Sequence, residues 1–174
     1  GLVFNVTTSQ NALIDLLTLG VVAELIGSAD YGDVQWWLEV YTAGGATASN
    51  LTLNATFDDA STGNLNTLAV GGTLGASRLY SLDGLRTTGQ QARNIRGIST
   101  AQLSASTGTA GNWGITATRP RAKLALPLAN FMAQGTWELT GLSNVPNDSC
   151  LFPIILPTTT SSGTLRGGGK IIHG

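Results

Sequence analysis

Two runs of alternating residues constrain the fold of this chain more than any other feature of its sequence. Apolar side chains occupy every second position of residues 34–40 and again of residues 51–57, with mostly polar side chains between them. Because successive side chains of a β-strand point to opposite faces, this period of two predicts two strands that each bury one face. The Gly-containing stretch 43–49 between them predicts a hairpin, whose second face, with Trp37 and Tyr41, meets solvent or a partner.

The composition fits a β-rich domain rather than a helical enzyme or a disordered tail. Gly, Thr, Ser and Asn make up about 40% of the chain, as expected for strands joined by turns. Charged residues account for 11% and apolar residues for 42%, whereas disordered segments are highly charged and poor in apolar residues. The 174 residues are enough for one domain with its own core. One Cys and one His exclude a disulfide framework and a Cys/His zinc cluster, and we expect no cofactor.

The sequence further predicts one short helix and several short strands. Residues 10–19 have helically spaced apolar positions, and Thr8 or Ser9 offers an N-cap. Residues 60–112 are rich in turn residues, so they are interpreted as a long irregular region with short strands. Strands are predicted within residues 2–7, 67–70, 78–82, 113–118, 123–128, 136–142 and 150–156.

Together these elements indicate a mainly β fold, a β-sandwich or jelly-roll-like domain with a short N-terminal helix, over residues 1–156. Residues 157–174 contain little apolar surface besides Ile171 and Ile172, so we predict an extended C-terminal arm that clasps a neighbouring subunit. Cys150 lies in an apolar run and is predicted to be a small core residue. The predicted core consists of Trp36, Leu38, Val40, Leu51, Leu53, Phe57, Ile115, Trp137, Leu139, Phe152 and Ile154.

The charged residues are segregated along the chain. Residues 1–59 carry seven acids and no base, whereas residues 60–123 carry seven bases and one acid, Asp83. Three interpretations stay open: the two parts pair within one fold, they meet between subunits or on a scaffold, or the arginines bind nucleic acid. Direct nucleic-acid binding is disfavoured, because no aromatic residues are interleaved with the arginines and the net charge is −1. The predicted intersubunit or capsid interface comprises Arg78, Arg86, Arg93, Arg96, Arg119, Arg121, Asp30, Asp33, Asp58, Asp59, Arg166, Lys170, Ile171 and Ile172.

Few residues suggest a chemistry. The Asp58–Asp59 pair and Glu39 would approach one another across the predicted hairpin and could form an acid pair or a Ca²⁺ site, but a solvated hairpin end is the favoured interpretation. Trp37, Tyr41 and Trp113 could form an aromatic platform for a sugar, but packing or use in an interface is the favoured interpretation. No GxSxG motif is present, and the only candidate acid pair is better interpreted as a solvated hairpin end, so we predict that the protein is not an enzyme.

The alternating strands DVQWWLEV and NLTLNATF, the polar tail TTTSSGTLRGGGKIIHG, the single Cys and the Gly/Thr/Asn/Ser-rich composition together resemble virion structural proteins of tailed bacteriophages. In length and composition the chain is most similar to head decoration proteins, also called cement proteins. The resemblance implies a homotrimer or similar homo-oligomer that binds the major capsid protein or another virion protein and stabilises the capsid lattice. It also implies a location in the virion, after assembly in the host cytoplasm.

Two other functions stay open. The chain could be a tail, connector or head-fibre component of the same kind of particle. It could instead be a carbohydrate-binding β-sandwich module, for which Trp37, Tyr41 and Trp113 are the candidates. We expect no membrane contact and no export, because the most apolar stretch, 12–27, carries two acids and is too short to span a bilayer, and no signal peptide is recognisable.

Overall fold

The computed structural model describes residues 2–18, 31–72, 75–109, 111–121, 123, 125 and 150–156. Within them the chain is mainly β, with two short 3₁₀ helices at Asp83–Leu85 and Thr88–Gln90. The strands are β1 (Leu2–Val3), β2 (Gln10–Asp15), β3 (Gln35–Thr42), β4 (Ser49–Phe57), β5 (Thr62–Asn64), β6 (Leu68–Val70), β7 (Arg78–Ser81), β8 (Ile95–Leu103) and β9 (Asn112–Thr118).

The strands form two antiparallel sheets. Sheet A has the order β1-β9-β3-β7, and sheet B has the order β2-β8-β4-β5, with β6 also paired to β4. The pairs are nested along the chain: β1 with β9, β2 with β8, β3 with β7, and β4 with β5 and β6. The chain therefore resembles one long antiparallel hairpin whose two arms are coiled so that successive strand pairs alternate between the two sheets.

One hydrophobic core lies between the sheets and takes side chains from both. Trp36, Leu38 and Val40 of β3 are fully buried, and so are Leu51 and Phe57 of β4. Burying a large apolar side chain contributes about 1.5–3 kcal/mol, so these two strands supply a large share of the driving force for folding. The described residues confirm the predicted core positions Trp36, Leu38, Val40, Leu51, Leu53, Phe57 and Ile115.

The predicted N-terminal helix over 10–19 is wrong, because residues 10–15 form β2. Ile14 pairs with Ile98 and Asp15 with Gly97 of β8, with an irregularity between Asn11 and Ile14. Ala12 and Ile14 pack against the core. The apolar spacing of this segment suits either a helix or a strand, and the partner strand decides the outcome, since tertiary context overrides weak local propensity.

The predicted hairpin between β3 and β4 is also wrong, because the two strands lie in different sheets. The connection between them packs against the segment before β9, where the backbone N–H groups of Gly45 and Thr47 donate to Thr107. A Cβ atom at Gly45 would lie 2.0 Å from the carbonyl oxygen of Thr107. The glycine is needed for this close backbone approach and not for a hairpin turn.

Strand β8 lies at the centre of sheet B, between β2 and β4, although the sequence predicts an irregular region there. Its buried residues Ile95, Ile98, Ala101 and Leu103 are not evenly spaced. The pairing with β4 has irregularities between Asn54 and Ala55 and between Thr56 and Phe57, so along β4 one residue of β8 is passed over before Ile98 and one before Ile95. Such bulges interrupt the period of two that would have identified the strand from the sequence.

The predicted strand at 150–156 does not form. Cys150 and Phe152 are exposed and Ile154 is only half-buried, so the predicted core roles of all three are wrong. Pro153 lacks the N–H group that a central strand needs. Three further predictions lie outside the described residues. They are the strand at 136–142 with Trp137 and Leu139, most of the strand at 123–128, and the arm 157–174.

Candidate functional site

The segregated charges meet within the chain at three ion pairs. In each pair an acid from residues 1–59 contacts a base from residues 60–123. Such contacts are expected if the acidic and basic parts of the chain pair within one fold, which was the first of the three interpretations. The role of these residues in an interface stays a prediction. Among the residues that the structure describes, the pairs are Arg96–Asp15 at 3.1 Å, Arg119–Asp33 at 2.9 Å and Arg93–Asp59 at 3.7 Å.

Arg86 and Arg93 hold the connection between β7 and β8. The Arg86 guanidinium donates to the carbonyl oxygens of Asp83 and Arg93, at 3.2 and 2.6 Å. The Arg93 guanidinium donates to the hydroxyl of Ser61 at 2.6 Å and lies 4.8 Å from the ring centroid of Phe57. Since these contacts are made within the chain, they give both arginines a structural role.

The two neighbouring acids Asp58 and Asp59 organise the turn after β4. Asp58 accepts a hydrogen bond from the backbone N–H of Asn94 at 3.2 Å. Asp59 accepts from the N–H and the hydroxyl of Ser61, and these bonds, with the nearby Arg93, hold its pKa below the usual value. The predicted site with Glu39 depended on the β3–β4 hairpin, which is absent. In the described ranges no three His, Cys, Asp or Glu side chains are grouped to hold a metal ion.

Of the remaining predicted interface residues, two are described by the structure and the others are not. Arg121 lies near Arg119 and Asp33, and burial, followed by the repulsion of Arg119, lowers its pKa. Arg78 is exposed at the start of β7. Asp30, Arg166, Lys170, Ile171 and Ile172 lie outside the described residues.

The predicted aromatic platform of Trp37, Tyr41 and Trp113 does not form. Trp113 is fully buried and stacks on Phe4, with the ring centroids 5.7 Å apart. Trp37 is only 8% exposed, and its indole N–H donates to the Thr118 hydroxyl at 2.8 Å. Tyr41 alone of the three is exposed, at 48%.

Tyr41 forms part of a surface groove on the outer face of sheet A, the face opposite the core. The groove has a volume of about 520 Å³. Phe152, which the sequence places in the core, lies on its rim and is 49% exposed. We name it the Tyr41 groove and define it by Glu39, Tyr41, Ser77, Arg78, Thr116 and Phe152.

Glu39 is the acceptor at the centre of the Tyr41 groove. Its Oε2 accepts hydrogen bonds from the Thr116 hydroxyl at 2.9 Å and from the Tyr41 hydroxyl at 3.3 Å. Partial burial and then the charge of Glu39 raise the pKa of Tyr41, so the phenol keeps its proton and can donate. The ring of Tyr41 lies over Gly114, where a Cβ atom would approach the phenol oxygen to 2.6 Å.

Arg78 of β7 also lines the Tyr41 groove, although it pairs with the buried Val40 and not with Glu39. Its side chain lies against Gly75, where a Cβ atom would be 3.2 Å from Nε. Unlike Arg93, Arg96 and Arg119, it makes no ion pair with any residue that the structure describes. The groove therefore combines two half-exposed aromatic residues with one carboxylate, and it is bordered by an arginine without an ion-pair partner among the described residues. From the sequence only Tyr41 was a candidate for this face, because Phe152 comes from a segment distant from β3, β7 and β9.

No protein-family model matches the chain, and no curated protein and no solved structure shows significant similarity to it. In the part of the chain that the structure describes, no helix has the length and apolarity needed to cross a bilayer.

Proposed function

We propose that this protein is a non-enzymatic virion structural protein, a capsid decoration protein with a jelly-roll fold that oligomerises on the head of a tailed phage. The nested strand order carries this proposal. In a jelly roll, eight antiparallel strands coil as one long hairpin, so that the first strand pairs with the last and the fourth with the fifth. Counting β5 and β6 as one position on the edge of β4 reproduces this order in both sheets.

The jelly roll is a fold of viral capsid and lectin domains. A fold alone does not specify a function, so assembly itself has to be tested. The same particle offers other positions for such a domain, and a tail, connector or head-fibre component is the alternative.

A second observation supports assembly. Four large apolar side chains within residues 150–156 are exposed, and contiguous exposed apolar surface is typical of protein interfaces. Leu156 is 75% exposed and Ile155 is 57% exposed, while Leu151 and Phe152 are close to half exposed. In this proposal Ile155 and Leu156 lie against a neighbouring subunit or the major capsid protein, and the arm 157–174 continues that contact.

The first experiment measures the mass of the purified chain by light scattering at low and at high salt. We expect a discrete homo-oligomer, a trimer being the favoured state. An oligomer that resists salt would assign the contact to the apolar segment, since salt screens exposed charge pairs far more than apolar contacts. An oligomer that weakens with salt would assign it to the charged interface residues.

The second experiment mixes the chain with undecorated capsids of the shell protein encoded in the same genome. Saturable binding that raises the heat resistance of the capsids is the expected result. Leu156→Ser and deletion of 158–174 should both weaken binding, while Leu17→Ser, at an apolar residue exposed on another part of the surface, serves as the matched control. A chain that neither self-associates nor binds capsids overturns the proposal.

A further inference from the structure

We propose that the Tyr41 groove binds a saccharide. This inference goes beyond the role in the virion and does not depend on it, because a decoration protein, a fibre component or an isolated module could each carry such a site. It also differs from the platform that the sequence suggested, since Trp37 and Trp113 are buried and take no part.

The aromatic rings provide the surface on which a sugar ring would stack. Tyr41 and Phe152 both line the groove, and they are 48% and 49% exposed. The face of an aromatic ring carries negative partial charge, and it attracts the polarised C–H groups on the apolar side of a pyranose. Tyr41 is also held in place, because its hydroxyl donates to Glu39 and its ring rests on Gly114.

The polar groups of the groove suit a ligand that both donates and accepts hydrogen bonds. Both hydrogen bonds that Glu39 accepts end on Oε2, which leaves Oε1 as an acceptor without a partner among the described residues. Arg78 has donors and no ion-pair partner among those residues. A hydroxyl group is both donor and acceptor, so one sugar hydroxyl can donate to a carboxylate while another accepts from a guanidinium.

Other classes of ligand fit the groove less well. A phosphate or a nucleotide would meet the charge of Glu39, which repels it. A purely apolar ligand would remove water from Glu39 and Arg78 without replacing their hydrogen bonds, and such desolvation is costly. The volume of about 520 Å³ lies within the usual range for small-ligand sites and has room for a short oligosaccharide.

The test is a glycan array of defined oligosaccharides probed with the purified full chain, followed by calorimetric titration of the best ligand. Arrays suit this question because dense display strengthens weak binding through avidity. We expect binding to at least one class of glycan, and a loss of tenfold or more in affinity for Tyr41→Ala. Phe152→Ala and Arg78→Ala should each reduce affinity severalfold.

Matched controls separate the groove from general surface effects. Leu17→Ala removes an exposed apolar side chain elsewhere, and Lys123→Ala removes an exposed cation elsewhere. Both should bind like the original chain. Gly114→Ala keeps every polar group but pushes the Tyr41 ring from its place, so it should weaken binding as well.

The circular dichroism spectrum and the melting temperature of each variant show whether its fold is kept. Because Tyr41, Phe152 and Arg78 lie on the surface, at least two of these variants should fold normally. Absence of any glycan binding by the original chain overturns the inference. So does binding that survives all folded groove variants unchanged. Capsid binding by the same variants is measured in parallel, and its loss or retention bears only on the proposed function.

Discussion

Arg96 and Asp15 form a two-point ion pair that connects β8 to the end of β2. The guanidinium Nε lies 3.1 Å from Oδ1 of the carboxylate, and Nη2 lies 3.1 Å from Oδ2. The side chains are 13% and 27% exposed, so the pair is largely shielded from water. It joins the acidic first part of the chain to its basic middle part, so charges that are separated in the sequence neutralise each other in the fold.

Removal of the Arg96 guanidinium should destabilise the fold. Arg96→Ala leaves Asp15 partly buried without its partner, and we expect a loss of about 1–3 kcal/mol in the free energy of unfolding, between the values for exposed and buried pairs. Urea denaturation measures this loss. Arg78→Ala is the control and should change stability by less than about 0.5 kcal/mol.

A double-mutant cycle with Asp15→Ala isolates the pair itself. The coupling energy should be favourable and account for a large part of the cost of either single change. A coupling near zero would mean that Arg96 stabilises the protein through the packing of its alkyl stem alone.

Two buried tryptophans differ in one hydrogen bond, which allows a matched comparison. Both Trp36 and Trp113 are 0% exposed. The indole N–H of Trp36 donates to the carbonyl oxygen of Ile95 at 2.8 Å, whereas that of Trp113 has no acceptor among the described residues.

Trp36→Phe should therefore cost more stability than Trp113→Phe. Both substitutions remove similar volume, but only the first leaves a buried carbonyl oxygen without its donor, which adds about 1–3 kcal/mol. Thermal and urea unfolding of the two variants provide the comparison. Equal losses would contradict a stabilising role for the Trp36–Ile95 hydrogen bond.

Asp83 should make the protein less stable as the pH rises. Burial raises the pKa of this carboxyl, more than the hydrogen bond from the Trp36 backbone N–H at 2.9 Å and the charge of Arg86 lower it. A raised pKa means that the folded state favours the protonated acid. That contribution is present below the pKa of the unfolded chain and is lost as the pH rises through the folded pKa.

Asp83→Asn keeps an acceptor for the Trp36 N–H without the charge. We expect the variant to gain stability relative to the original chain at pH 7 and to lose this advantage as the pH falls below about 4, near the pKa of an unperturbed Asp. Urea unfolding of both proteins across this range measures the difference. Because Asp59 has a lowered pKa, it shifts the pH dependence in the opposite direction, but it does so in both proteins and cancels.

The single cysteine should react without denaturant. Cys150 is exposed in the structure, although its apolar neighbours in sequence suggest a core position. A water-soluble thiol reagent added to the dilute native protein should modify one thiol per chain at a rate close to that in urea. Labelling that requires urea would place Cys150 inside the protein after all.

The sequence was most informative where local geometry alone decides the structure. The alternation over 34–40 and 51–57 predicted β3 and β4 and their buried faces, because a period of two has one structural meaning in a strand. The pairing of these strands was predicted wrongly, since a connection of a few residues can turn back within a sheet or cross to the opposite one. The contact of Gly45 with Thr107, which distinguishes these cases, joins residues distant in sequence.

The candidate site was also predictable from the sequence only in part. Tyr41 was correctly placed on the outer face of its strand, and its exposure follows from alternation. Phe152 and Arg78 could not be assigned to the same groove, because they reach it from different parts of the chain. Alternation places Trp37 on the same face of β3 as Tyr41, but Trp37 is buried, which alternation does not predict.

By itself, the sequence determined that this chain is mainly β, which residues of two strands face the core, and that its charges are unevenly distributed. Only the tertiary structure decided that residues 10–15 form a strand, that β8 lies in the middle of a sheet, and that Asp15, Asp33 and Asp59 contact arginines of the same chain. The physical reason is that side-chain alternation depends on neighbouring residues. Strand partners, bulges and ion pairs depend on residues as distant in the sequence as Leu2 and Trp113, whose approach only the complete fold establishes.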